Sequence, residues 1–345
     1  MMGTNTFTID VEISVPIIGD ISIASLRPPK GFVFKEEEFQ KYAYNKNMCN
    51  NNGDILLEYA YALYGNPEKI LILKHHSNYA LEFDEPICSG VFGLTLESED
   101  AIKQKLAPIR NNLVIGLRDY FALLHVYMEG DLTYKNIFVQ YTYEKHKICP
   151  HINHFDAITL NQNPMKIDSG DIIAINEFIN GHTVAFNMLK SVVIDDLICS
   201  YHCFYNSTNY KNMFTIFEVL LSNGEFDSDV LAKRISVMIK NDDADIDATY
   251  KRFKQLYLIR NNAVHQGEIT PITRELLDEL RNMVRDVIKA YFLHIEQYIK
   301  YNKTATFLQT KKNCIKHLNK KINAKKKWPK VKIGGQSNVT NSRNY

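Results

Sequence analysis

The chain has no run of eighteen consecutive apolar residues, and its opening stretch MMGTNTFTIDVEISV places no basic residue ahead of an apolar segment. The first absence removes a membrane-spanning helix from expectation and the second a secretory leader, so a cytoplasmic protein with no membrane partner is expected. Cysteine is sparse: six residues, at positions 49, 88, 149, 199, 203 and 314, follow no repeating spacing among 345 residues. A chain of that length, 45% apolar, can bury enough core to do without disulfide staples. The thiols therefore read as free, and the length favours two domains over one. Acidic residues are missing altogether after Glu296. Twelve lysines and Arg343 give that segment a charge of +13, leaving −11 for the first 296 residues of a chain whose formal net charge is +2. Ten of those lysines fall between Lys311 and Lys332. That density can attract a phosphate backbone through counterion release, and it equally suits a solvated, partly disordered tail.

Against these absences stand two kinds of periodicity. Thr6 to Val15 alternates strictly, with Phe7, Ile9, Val11, Ile13 and Val15 on one side, as a half-buried strand requires; Pro16 is expected to end it. Further aromatic or β-branched runs, KILILK and KNIFVQYTYEK, are interleaved with helical stretches and turn-forming segments such as NKNMCNNNGD, and Pro108 precedes an expected helix from about Ile109 to Met128. From Asp168 the spacing becomes helical for several turns, with Gly181 as a break, and helices follow over Met213–Leu221, over DSDVLAKRISVMIK and over Ile246–Val264. The Ile246–Val264 helix presents Ile246, Tyr250, Phe253, Tyr257 and Val264 on its apolar face. Thr270 and Pro271 suit the start of a last helix whose stripe is Leu276, Leu280, Met283, Val287, Tyr291 and Ile295. The fold class expected is α+β: a mixed α/β accessory or sensor domain over residues 1–165, a helical domain over 166–300 and a basic tail over 301–345.

Three groups of residues could carry chemistry. HKICPHINH puts His146, Cys149, His151 and His154 within reach of one ion. Zinc sites usually pair two clusters of tighter spacing, so a polar loop between strands is the favoured reading and no metal is expected. RDYFALLH offers Arg118 with His125, but His125 lies among leucines and aromatics, where a hydrogen-bonded core histidine is the commoner outcome. LYLIRNNAVHQG offers Arg260 with His265 where an apolar helix pattern meets Gly267. A histidine at a helix C-terminus feels the negative end of the dipole, which favours its protonated form. PIRNNLVIG repeats the Arg-Asn-Asn start at Arg110, with Ile115 in the place of the histidine.

The segment from about Asn212 to Glu296 resembles HEPN domains, in particular their ApeA-like branch. The resemblance rests on TIFEVLL, with Glu218, and on LYLIRNNAVHQG, with Tyr257, Arg260, Asn261, His265 and Gly267. It covers about a quarter of the chain and departs mildly at Gln266, where a glycine often follows the histidine directly. It implies a metal-independent, cofactor-free endoribonuclease whose two helix-end motifs face each other in a homodimer. RNA is then the substrate, and the setting is anti-phage defence or a toxin, with a regulatory partner or phage-derived trigger. Arg260, Asn261 and His265 are the implied catalytic residues, with Glu218 and Tyr257 in support. The alternative is a non-catalytic HEPN module for dimerisation or RNA binding.

Overall fold

The computed structural model describes residues 5–17, 20–21, 26–46, 69–83, 89–90, 93–130, 132, 136–143, 146–154, 165–202, 206–224, 227–265 and 272–330. The chain has an α+β fold and divides into two compact units at Gly181/His182. The division falls later than residue 165 because the helix Ile172–Gly181 packs with the first unit: Phe178 meets Tyr127 ring to ring at 5.1 Å.

The first unit is built on a five-stranded antiparallel sheet in the order β3-β4-β1-β7-β8, formed by β3 (Val33–Glu38), β4 (Lys69–Phe83), β1 (Asn5–Ile17), β7 (Asn136–Tyr143) and β8 (His146–His154), with the two-residue strands β2 (Asp20–Ile21), β5 (Ser89–Gly90) and β6 (Gly93–Leu94) outside it. β1 is central, and its alternation explains why. Ile9, Val11, Ile13 and Val15 are buried in one cluster with Ile102, Leu106, Leu117 and Phe121 of the long helix α2 (Leu96–Tyr127). On the other face Ser14 and Glu12 meet helix α1 (Phe39–Asn45) and the residue after it, through Tyr42 at 2.8 Å and Lys46 at 2.8 Å. Each fully buried aliphatic chain on such a face contributes roughly 1.5–3 kcal/mol.

Four details depart from the sequence reading here. β1 continues past Pro16 to Ile17, because β7 pairs only as far as Ser14 and a missing N–H at Pro16 breaks no bond to it. β4 extends well beyond KILILK, its polar His75 to Asn78 held in register opposite Asp10 to Ile13. The helix assigned to Ile109–Met128 starts at Leu96, with Thr95 as N-cap; Pro108 lies exposed inside it, where water can take the carbonyl that loses its donor. HKICPHINH is the edge strand β8 rather than a loop.

The second unit is helical. α4 (Thr183–Leu189) runs through a π turn, Lys190–Ile194, into α5 (Asp195–His202). α6 (Asn206–Leu221), α7 (Ser228–Ile239), α8 (Asp243–His265), α9 (Arg274–Tyr301) and α10 (Phe307–Ala324) follow. α9 is capped by Thr273 rather than begun at Thr270, which with Pro271 lies outside the described residues. Its buried stripe runs through Leu277, Leu280, Val284, Val287, Tyr291 and Ile295, with Leu276 and Met283 on the flank.

Within the basic tail, Phe307–Ala324 form a docked helix. A reciprocal Thr306–Gln309 capping box starts α10, and Thr310, Cys314, Ile315 and Leu318 are buried along it. The buried Arg234 of α7 ties it in, donating from Nε to Asn319 Oδ1 at 3.1 Å and from Nη1 to the Leu221 carbonyl of α6 at 2.8 Å. Burial pushes the Cys314 thiol up to about 12.

Candidate active site on helix α8

α6 and α8 pack antiparallel through aromatic side chains at helical spacing. Tyr210 donates to the Leu256 carbonyl at 2.9 Å, Phe214 meets Tyr257 edge-on at 5.4 Å, and Phe217 meets Phe253 at 5.3 Å. From Phe214 to Phe217 the facing residue on α8 falls from Tyr257 to Phe253. Phe214 is fully buried at the middle of this cluster and touches four rings, so it fixes the position of Tyr257. Neither Phe214 nor Phe253 was singled out as a site residue from the sequence. Their signal is the i, i+4 spacing of Tyr210 with Phe214 and of Phe253 with Tyr257.

Arg260 lies one turn beyond Tyr257, with its guanidinium carbon 5.5 Å from the ring centroid. Nη1 donates to Asn261 Oδ1 at 3.2 Å, while Nε is buried without a hydrogen-bond partner among the described residues. Among the described residues no carboxylate pairs with Arg260. A buried guanidinium donor left unmatched costs free energy until an acceptor reaches it, and a planar cation of this kind is matched best by an oxyanion. Burial raises the Tyr257 phenol above its ordinary range, the Arg260 charge opposes that rise, and Glu218 adds to it.

Glu218 makes no ion pair with Arg260. The antiparallel packing accounts for this: Glu218 lies toward the C-terminal end of α6, whereas Arg260 lies beyond Tyr257 in the direction of the α6 N-terminus. The charge of Glu218 reaches Tyr257 instead. His265 is the last residue of α8, one turn after Asn261; its side chain and Gly267 lie outside what is described.

The other candidates separate from this site. His125 is buried in α2 with Nδ1 2.9 Å from the Phe121 carbonyl, a core histidine, and Arg118 is exposed. The side chains of His146, Cys149, His151 and His154 lie outside the described residues, among which no cluster of three metal-ligating side chains occurs. No helix among the described residues is long and apolar enough to cross a membrane. Compared with family models, curated proteins and solved structures, the chain gives no match.

Proposed function

We propose that the chain is a metal-independent endoribonuclease of HEPN type, acting on RNA as a homodimer, with the first unit as sensor or restraint in a defence or toxin setting. The observation that carries the reading is the unpaired, buried Nε of Arg260, held over Tyr257 near the end of the helix that closes on His265. In this reading the guanidinium holds the phosphoryl oxygens as negative charge develops. His265, poised by the negative helix end, takes the proton from a ribose 2′-hydroxyl or returns one to the leaving oxygen. The 2′-oxygen forms its bond to phosphorus as the bond to the 5′-oxygen breaks. The products are a 2′,3′-cyclic phosphate and a 5′-hydroxyl, and DNA, which has no 2′-nucleophile, survives.

Five positions along a helix rotate a side chain by about 140°, so positions 260 and 265 do not share a face. Two copies about a twofold axis bring the arginine of one protomer to the histidine of its partner. The test is a denaturing gel of total RNA incubated with chelator-treated protein. Wild type is expected to degrade RNA to cyclic-phosphate ends, and a folded His265→Ala variant to leave it intact. Cleavage retained by that variant rejects the site.

A further inference from the structure

The lysines after Glu296 are arranged, not merely abundant. Lys312, Lys316 and Lys320 are exposed at four-residue steps along α10, so their positions climb one side of the helix about 6 Å at a time. Lys321, Lys326, Lys327 and Lys330 continue the exposed series past the helix end, and none of these seven pairs with a carboxylate among the described residues.

At that end a cleft of about 840 Å³ opens between α7, α8 and α10. Lys240, Lys321, Lys325, Lys326 and Lys327 line it, together with Asp243 and Asp247. Lys325 alone answers the two carboxylates, at 2.8 and 3.1 Å, which leaves four lysines uncompensated at the cleft. Beside them stands Trp328, the one tryptophan of the chain, half-buried against Tyr250 at 5.3 Å, with the Lys233 ammonium 5.6 Å and the Lys325 ammonium 5.7 Å from its ring.

We propose that the outer face of α10 and the cleft at its C-terminal end bind the phosphate backbone of a single-stranded nucleic acid. A row of ammonium groups with no carboxylate partner among the described residues tracks successive phosphates, and the exposed part of the indole, bordered by Lys233 and Lys325, offers a base a surface to meet. A lipid surface fits poorly, since from residue 307 to residue 330 the exposed apolar residues are Leu308 and Ala324 alone. The face lies outside the Arg260 site and the proposal stands whether or not the chain cleaves RNA.

The experiment measures fluorescence anisotropy of a labelled single-stranded RNA of about 20 nucleotides, and of DNA of the same sequence, against the full chain carrying His265→Ala so that the probe stays whole. Affinity is expected to fall steeply as salt rises from about 50 to 200 mM, with equal slopes for RNA and DNA. Combining Lys312→Gln, Lys316→Gln and Lys320→Gln is expected to flatten the log–log slope by about 2 and weaken binding on the order of tenfold. Lys326→Gln with Lys327→Gln is expected to flatten it by about 1.4. The same three-lysine change at the exposed Lys30, Lys35 and Lys41 of the first unit is the charge-matched control and is expected to leave the slope unchanged. A slope indifferent to the α10 lysines, an equal loss in the control, binding of RNA with none of DNA, or capture by phosphatidylserine vesicles with no nucleic-acid binding would each overturn the proposal.

Discussion

The tripeptide Arg-Asn-Asn occurs on α2 at Arg110 and on α8 at Arg260, and each guanidinium opposes the burial that raises a nearby phenol, Tyr141 for Arg110 and Tyr257 for Arg260. In both, the guanidinium donates to the neighbouring asparagine: Arg110 through Nε and Nη2 to Asn111 at 3.3 and 3.2 Å, Arg260 through Nη1 to Asn261 at 3.2 Å. That bond is a local habit of adjacent residues on a helix and marks no site. Three features separate the copies. Arg260 sits over an aromatic ring, its Nε is buried without an acceptor among the described residues, and its helix ends five residues on at His265, whereas α2 continues to Tyr127. The surroundings, not the motif letters, give Arg260 spare donors and a helix end.

The largest effect tests that contrast directly. Arg260→Ala is expected to lower RNA cleavage on the order of 10²–10³-fold with the melting temperature little changed, and Arg110→Ala to leave cleavage untouched. A comparable loss from Arg110→Ala would erase the distinction. Mixing comes next. If each site joins the arginine of one protomer to the histidine of its partner, then Arg260→Ala and His265→Ala protomers, each inactive alone, form mixed dimers with one intact site. Remixed chains should regain up to about a quarter of wild-type specific activity. No recovery after subunit exchange confirmed by tagged pull-down would place both groups of a site in one chain. A smaller effect is expected at the shared asparagine: Asn261→Ala should cost about tenfold in kcat/KM and Asn111→Ala nothing, with both within about 0.5 kcal/mol of wild-type stability because neither is buried.

How much of this was legible differs between the two units for physical reasons. β1 could be read because one face is buried along its whole length, so the alternation carries the signal without help. β4 could be read only over KILILK; His75 to Asn78 are strand because β1 imposes its register on them, and pairing of that kind leaves no periodicity in the paired segment itself. Pro108 masks the N-terminal part of α2 in the sequence, where only Ile102 and Leu106 mark the buried side. In α10 the lysines drew attention from a stripe of only Thr310, Cys314, Ile315 and Leu318, which suffices because Arg234 and the capping box supply further hold. At the site, Tyr257, Arg260 and Asn261 were readable as neighbours because they share one helix. The separation of Glu218 from Arg260 was not, since it depends on the antiparallel register of α6 against α8.

The smallest expected effect separates what the Tyr257 ring does from what its hydroxyl does. Burial is the first cause holding the phenol above its ordinary pKa of 10, Glu218 raises it further, and Arg260 opposes both without reversing them. A raised phenol pKa means a neutral side chain throughout the neutral and mildly alkaline range, so Tyr257 neither neutralises Arg260 nor adds a titration to the reaction there. Tyr257→Phe keeps the ring face that the guanidinium covers, an attraction of about 0.5–1 kcal/mol at a partly exposed site. Its kcat/KM is expected to stay within about twofold of wild type, with both limbs of the profile unmoved between about pH 5 and pH 9. Tyr257→Leu keeps the volume and loses the π face, so it should cost about two- to fivefold with the same profile shape. An alkaline limb that shifts in Tyr257→Phe would make the hydroxyl a participant in proton transfer, and Arg260 would then owe its difference from Arg110 to chemistry at residue 257 rather than to the ring beneath it.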